Sequence, residues 1–134
     1  MEKNIKILVI EDNPGDAYLV EEQLEEFANF SYDLMIVETL DEASSVLKEQ
    51  PFDVIVLDLG LPDSYGINTF LSIHTINPMV PIIILTGVSD KTIESYAIKE
   101  GAHDFLVKGQ IDDRLMECIM QCSIERRKRP SSII

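Results

Sequence analysis

Hydrophobic and polar positions along this chain follow two alternating patterns. Short apolar runs of strand length recur at residues 5–10 (IKILVI), 32–38 (YDLMIVE), 53–58 (DVIVLD), 80–86 (VPIIILT) and 103–108 (HDFLVK). Each of the first four leads through a polar turn into a stretch with apolar residues at helical spacing. The fifth leads into a helical stretch near the end of the chain. Five strands alternating with five helices predict an α/β fold, a parallel sheet covered by helices on both faces. The central runs are almost continuously apolar, as strands buried on both sides require.

The helix boundaries carry their own signals. The first helix follows EDNPGD, where Asn13 can cap and Pro14 suits the opening turn, and Ala17, Val20, Leu24 and Phe27 share its inner face. The second is expected to be capped by Asp41, with Ala43 and Leu47 inward. The third follows PDSYG and carries Ile67, Phe70, Leu71 and His74 on one stripe; His74 reads as a core-edge residue, since no ligand spacing accompanies it. The fourth runs from about Asp90 to Glu100 and stops at Gly101. The fifth runs from about Ile111 into ERRKR. Ile111, Leu115, Cys118, Ile119 and Cys122 form its core face. Met116, Met120 and Ile124 form a second stripe nearly opposite, the pattern of a dimer or partner face.

Composition narrows the picture. A chain of 134 residues, 46% hydrophobic and 26% charged, is one folded domain; residues 1–127 read as that domain and 128–134 as a tail or the start of a linker. No apolar run approaches the roughly 20 residues that span a bilayer, and MEKNIKILVI lacks a cleavable-signal pattern. A cytoplasmic protein with no membrane partner is therefore expected. Cys118 and Cys122 read as ordinary buried thiols, and His74 and His103 complete no zinc cluster. A formal charge of −13 argues against direct nucleic-acid binding, which needs a basic surface. The basic ERRKR segment reads as a helix C-terminus favouring the dipole.

The acids matter by placement. Open parallel α/β sheets bind ligands outside the carboxyl ends of their strands. There the first strand presents Glu11 and Asp12, the third Asp58, the fourth Thr86 and Gly87, and the fifth Lys108 and Gly109. The second offers Glu38 and Thr39, a less distinctive pair. Alone, a strand-end Asp58 reads as a cap or turn residue before it reads as a metal ligand or a reactive carboxylate. Together with Glu11 and Asp12 it forms a cluster that needs a cation, since like charges raise one another's pKa. Oxygen ligands without His or Cys suit a hard ion, Mg²⁺ above Zn²⁺ or Cu²⁺. Lys108 can pair with Asp58 and then with a phosphoryl oxygen, and Thr86 offers a hydroxyl donor. Carboxylates serve as phosphoryl acceptors where positioning and charge neutralisation supply the catalysis.

The segments ILVIEDNPGD, DVIVLDLGLPDSYG, PIIILTG and GAHDFLVKG resemble the receiver domain of two-component response regulators, over about residues 4–127. The resemblance implies a flavodoxin-like fold of strand order 2-1-3-4-5. It implies that Asp58 accepts phosphate from a histidine kinase. It further implies that Asp12, Asp58 and the carbonyl of Gly60 hold Mg²⁺ directly, with Glu11 acting mainly through water. Thr86 and Lys108 would bind the phosphoryl oxygens, and Phe105 matches the aromatic switch position. The implied partners are a sensor histidine kinase or phosphotransfer protein and a downstream output domain or protein. The second stripe of the fifth helix, together with Phe105 on the intervening strand, points to a homodimer or partner surface formed by the fourth helix, fifth strand and fifth helix.

Two positions depart from the family pattern. Phe105 stands where Tyr is usual, which removes a ring hydroxyl. Gly109 follows Lys108 where a Pro joined by a cis bond is common, so a trans bond is expected. Gly60 and Gly87 leave the site open to water and point to rapid phosphate loss. Three other classes compete. A degenerate receiver would work without phosphorylation. A haloacid-dehalogenase-type phosphatase would carry Asp-x-Asp where this chain has Asp58-Leu59-Gly60, and would need a longer chain for its cap. A flavin carrier would need a hydroxyl- and Gly-rich first loop, where EDNPGD is acidic. On the leading reading the chain is no general enzyme; its chemistry is its own phosphorylation and dephosphorylation.

Overall fold

The computed structural model describes residues 4–109 and the helix at 114–128, with side chains of that helix described through Cys122. In chain order the elements are β1 (Ile5–Ile10), α1 (Pro14–Phe27), β2 (Tyr32–Val37), α2 (Leu40–Glu49), β3 (Val54–Leu57), β4 (Gly60–Leu61), β5 (Ser64–Tyr65), α3 (Ile67–Ile76), β6 (Ile82–Thr86), α4 (Lys91–Lys99), β7 (Asp104–Val107) and α5 (Arg114–Lys128). Five strands form one parallel sheet in the order β2-β1-β3-β6-β7. Counting sheet strands alone, this is the expected 2-1-3-4-5. Strands β4 and β5 form a small antiparallel hairpin that the apolar pattern did not foretell.

The period-2 alternation of the strands sorts their side chains into two cores. Leu8, Ile10, Ile55, Leu57, Ile82 and Ile84 face one side, where α2, α3 and α4 bury Ala43, Leu47, Phe70, Ile73 and Ala97. Ile7, Val9, Val54, Val56, Ile83 and Leu85 face the other, against Val20 and Leu24 of α1 and Leu115, Ile119 and Cys122 of α5. Each such buried Val, Leu, Ile or Phe side chain contributes ~1.5–3 kcal/mol relative to its exposed state. The register pairs Ile10 with Leu57 and Leu57 with Ile84, so these strands end at one edge.

Several helix expectations hold. The Asn13 side chain accepts from the Asp16 N–H at the start of α1, and Pro14 occupies its opening turn. Asp90 caps α4 through the N–H groups of Thr92 and Ile93. His74 lies at the core edge, its ring stacked on Phe70 at 5.4 Å.

Three details differ. The cap of α2 is Thr39, whose side chain accepts from the Glu42 N–H, with Asp41 inside the first turn. The Glu42 carboxylate accepts in return from the Glu38 N–H at 2.8 Å. Phe27, the last residue of α1, is half exposed instead of sharing the inner face with Ala17, Val20 and Leu24. Met116 is buried in the core with Leu115, Cys118 and Ile119, at the margin of a wide inner face, whereas Met120 is exposed. The second stripe therefore does not extend across both methionines, and Ile124 lies outside the described side chains. The Ile111 onset and residues 129–134 of the expected tail also lie outside the described residues.

Candidate functional site

The sheet's hydrogen-bond ladder runs past its strand ends and delivers the polar residues. The Glu11 N–H donates to the Val37 carbonyl at 2.9 Å, and the Asp58 N–H to the Ile10 carbonyl at 3.0 Å. The Lys108 N–H donates to the Thr86 carbonyl at 2.7 Å. Backbone bonds of this kind fix where each side chain leaves the sheet. Glu11, Asp12 and Asp58 each place a carboxylate oxygen so that the three lie within 4.8 Å of one another. An all-oxygen donor set of this size fits a hard divalent cation of the Mg²⁺ class.

The Lys108 ammonium sits against this cluster. It lies 2.7 Å from Glu11 Oε1, 2.8 Å from Asp16 Oδ2 and 3.4 Å from Asp58 Oδ1. Burial by itself would lower the Lys108 pKa, but the Asp16 and Glu11 carboxylates and the Asp58 charge together carry it well above the usual lysine range. Lys108 is thus cationic at any physiological pH. Glu11 is only 5% exposed, and burial raises its pKa. The bonds it accepts from Lys108 and the Asn13 N–H oppose that rise, and the Asp58 charge adds to it. A buried carboxylate held this way gains from any further cation brought nearby.

On the other side of Asp58 lies a cavity of about 300 Å³, lined among others by Gly60, Tyr65, Thr86, Gly87 and Phe105. Thr86 is buried, and its hydroxyl oxygen accepts a long 3.4 Å bond from the Val88 N–H. A Cβ at Gly87 would meet no atom within 4 Å, whereas one at Gly60 would touch the Tyr65 ring at 3.8 Å and Asp58 Oδ2 at 3.9 Å. The openness expected from two glycines is therefore real at Gly87. At Gly60 it is partly filled by Tyr65, whose ring is otherwise 83% exposed. Phe105 is 4% exposed and packs in the core beneath the cavity.

Gly109 has φ of +84°, in the left-handed region, and no cis peptide bond occurs among the described residues. A proline, whose φ is locked near −65°, could not occupy that position. This accounts for glycine after Lys108.

The strand-end residues Glu11, Asp12, Asp58, Thr86 and Lys108 meet here, as do Gly60 and Phe105, which the resemblance named; Glu38 and Thr39 bond at the start of α2 instead. Two participants were missed. Asp16 lies in the first turn of α1, where an acid favours the helix dipole and nothing in the sequence marks a further role. Asp63 accepts from the backbone N–H groups of Leu40 at 2.8 Å and Asp41 at 3.1 Å, which ties the loop after Asp58 to the start of α2. The loop is further closed by the β4–β5 hairpin and by a 2.7 Å bond between the Ser64 and Thr69 hydroxyls.

Comparison with known proteins agrees with this geometry. The sequence profile of the response regulator receiver domain matches residues 7–120. The transcriptional regulatory protein ZraR of Salmonella typhimurium is 28% identical over 124 residues, covering 92% of this chain and 27% of ZraR. A response regulator receiver domain from Clostridium thermocellum superposes with a TM-score of 0.79 at 26% identity, covering 92% of this chain and 97% of that one. The beryllofluoride-activated NtrC4 receiver domain, solved as a dimer, gives 0.77 at 32% identity, covering 90% and 97%. The chain belongs to the response regulator receiver domains of two-component signalling. It spans about a quarter of the length of the curated relatives it matches. Among the described residues no helix is long and apolar enough to cross a membrane.

Proposed function

We propose that this chain is a phosphorylation-controlled signalling module in which Asp58 accepts a phosphoryl group from the phosphohistidine of a sensor kinase or phosphotransfer protein. The observation that carries the reading is the convergence of the Glu11, Asp12 and Asp58 carboxylates within 4.8 Å, with the Lys108 ammonium 3.4 Å from Asp58. An Asp58 oxygen attacks phosphorus as the P–N bond to the imidazole breaks, leaving an acyl phosphate on the protein and a neutral imidazole on the donor once a proton is taken up. Lys108 then pairs with a phosphoryl oxygen. The Thr86 hydroxyl exchanges its long contact with the Val88 N–H for a bond to another. Asp12, Asp58 and the Gly60 carbonyl would hold Mg²⁺, with Glu11 acting mainly through water. When bound, that ion offsets the negative charge gathered on the transferring group.

The output follows from packing. Thr86 and Phe105 share the wall of the cavity beside Asp58, so turning the Thr86 hydroxyl toward a phosphoryl group alters the contacts of the buried ring. Phe105 has no hydroxyl, so this coupling works by packing alone. Tyr96 and Ile98 on α4 and Met120 on α5 are exposed on the flanking helices. Together with β7 they form the surface on which we place a homodimer, an output domain or a separate output protein. That the related NtrC4 receiver was solved as an activated dimer supports this choice. The reading implies a cytoplasmic protein, where ATP-fed kinases operate.

The test is incubation with Mg²⁺ and acetyl phosphate, then with the purified kinase. The expected product is an acid-stable, hydroxylamine-labile adduct that Asp58→Asn abolishes. Wild-type protein inert to both donors would instead establish a receiver that works without phosphorylation. Turnover of many small phosphoesters would establish a phosphatase. For the output surface, Tyr96→Glu with Met120→Glu is expected to abolish self-association or output binding of the phosphorylated form.

A further inference from the structure

Three carboxylates share the Lys108 ammonium unequally. Glu11 at 2.7 Å and Asp16 at 2.8 Å are within good hydrogen-bonding range, and Asp58 at 3.4 Å is outside it. Asp16 stands in the first turn of α1, which is fixed when its N–H donates to the Asn13 side chain at 3.0 Å. Its carboxylate is not one of the three that converge as a candidate cation cluster. The phosphoacceptor chemistry described above gives it no role.

We infer that Asp16 is a positioning residue that holds the Lys108 ammonium away from Asp58 in the resting protein, so that phosphoryl transfer proceeds as Lys108 leaves Asp16. The inference rests on the phosphoacceptor reading of Asp58. An ammonium has three donors on one compact charge, and two of them are bonded to Glu11 and Asp16, which hold it 3.4 Å from Asp58. Closer approach to a phosphoryl oxygen on Asp58 therefore stretches or breaks one of those two bonds. Glu11 is the costly partner to release, because its side chain is 5% exposed and would be left charged and buried. Asp16 is the cheaper one, since its side chain is 33% exposed and water can take over its oxygens. A cavity of about 200 Å³ is lined by both Asp16 and Lys108, with Leu19, Val20 and Leu85, so water has space to reach the Asp16 oxygens when the ammonium leaves.

The experiment measures the rate of Asp58 adduct formation from acetyl phosphate with Mg²⁺, in the full chain. Wild type is compared with Asp16→Asn, Asp16→Ala, Lys108→Met and the Asp16→Asn/Lys108→Met double variant. Both Asp16 variants are expected to label about two- to fivefold faster, the scale of a partly exposed ion pair. The gain is expected to vanish in the Lys108→Met background, a coupling that general loss of negative charge would not produce. A second readout needs no phosphorylation: the Lys108 side-chain ¹⁵N resonance is expected to shift in Asp16→Asn. Equal or slower labelling by both Asp16 variants, or a gain that survives in Lys108→Met, overturns this inference while leaving the phosphoacceptor reading intact. A wild type that never labels overturns both.

Discussion

On its β1 side Asp58 faces a bonded cluster, in which Lys108 reaches Glu11 at 2.7 Å and Asp16 at 2.8 Å. On its β6 side it faces a cavity of about 300 Å³ bounded in part by Gly60, Gly66 and Gly87, a loosely bonded Thr86 and the buried Phe105 ring. One flank is specified by charge and hydrogen bonds, the other by shape and space. Charge on a buried carboxylate is poorly tolerated without a partner, so the bonded flank admits little rearrangement except exchange of one partner for another. Empty space beside a packed ring can be refilled, so on the proposed reading the open flank is where phosphorylation of Asp58 would become a change of surface.

The sharpest way to break this contrast is Phe105→Ala. The ring is 4% exposed in the core beneath the cavity, so its removal should cost about 3–5 kcal/mol, read as a fall in the urea midpoint. A loss below about 1 kcal/mol would mean that the ring does not support the open flank.

Next come two glycines that differ in backbone. Gly109, with φ of +84°, should lose about 1–2 kcal/mol on substitution by Ala. Gly87, with an ordinary φ and no neighbour within 4 Å, should change by less than about 0.5 kcal/mol. Equal costs in thermal melts would contradict the assignment of space to the Gly87 side.

The bonded flank should reveal itself through pH. Burial holds the Glu11 pKa above its ordinary value, so the folded state binds that proton more tightly than the unfolded one. The resulting stability is complete below the ordinary carboxylate pKa and is lost as pH rises through the elevated one. Without Mg²⁺, wild type should therefore lose some stability as pH rises above the ordinary carboxylate range. Glu11→Gln should flatten that part of the profile, and Mg²⁺ should flatten it in wild type by favouring the ionised carboxylate. Lys108 acts in another window. Its elevated pKa supports the fold fully below the ordinary lysine value, and that support is lost only under strongly alkaline conditions.

The smallest effect concerns the loop that joins the flanks to α2. The Leu40 N–H, with help from that of Asp41, holds the Asp63 pKa below its ordinary value. Its contribution is present above the ordinary aspartate pKa and disappears as pH falls through the depressed one. Asp63→Ala should speed amide exchange at Leu40 and Asp41 with little change in overall stability. The buried Cys118 thiol is a control on the far side of the sheet. Burial, with the 3.2 Å contact to Asp104, raises its pKa to about 12, so it should resist alkylation at pH 8 until the protein unfolds.

What could be read in advance follows a physical division. Apolar runs and helical spacing are local, and they marked all five sheet strands and most of the inner helix faces, with Phe27 and Met116 as the exceptions. Strand ends are also local, so Glu11, Asp12, Asp58, Thr86 and Lys108 could be named as a set once a parallel sheet was inferred. The β4–β5 hairpin was missed because two-residue strands carry no periodicity. Met116 was misplaced because a helix seated between a sheet and another helix buries a wider arc than spacing alone reveals.

Sequence by itself determined the fold class, the family and the residues that meet at the sheet's edge, because burial patterns and strand ends are encoded residue by residue. Only the tertiary structure decided which of those residues touch. Asp16 and Lys108 are 92 positions apart, and their contact depends on how Val20 and Leu24 seat α1 against α5 and the sheet. That packing is a sum over many weak apolar contacts, and it sets ångström-scale distances that no single residue records. Whether Lys108 lies nearer to Asp16 or to Asp58 is a matter of 0.6 Å, the difference between 2.8 Å and 3.4 Å.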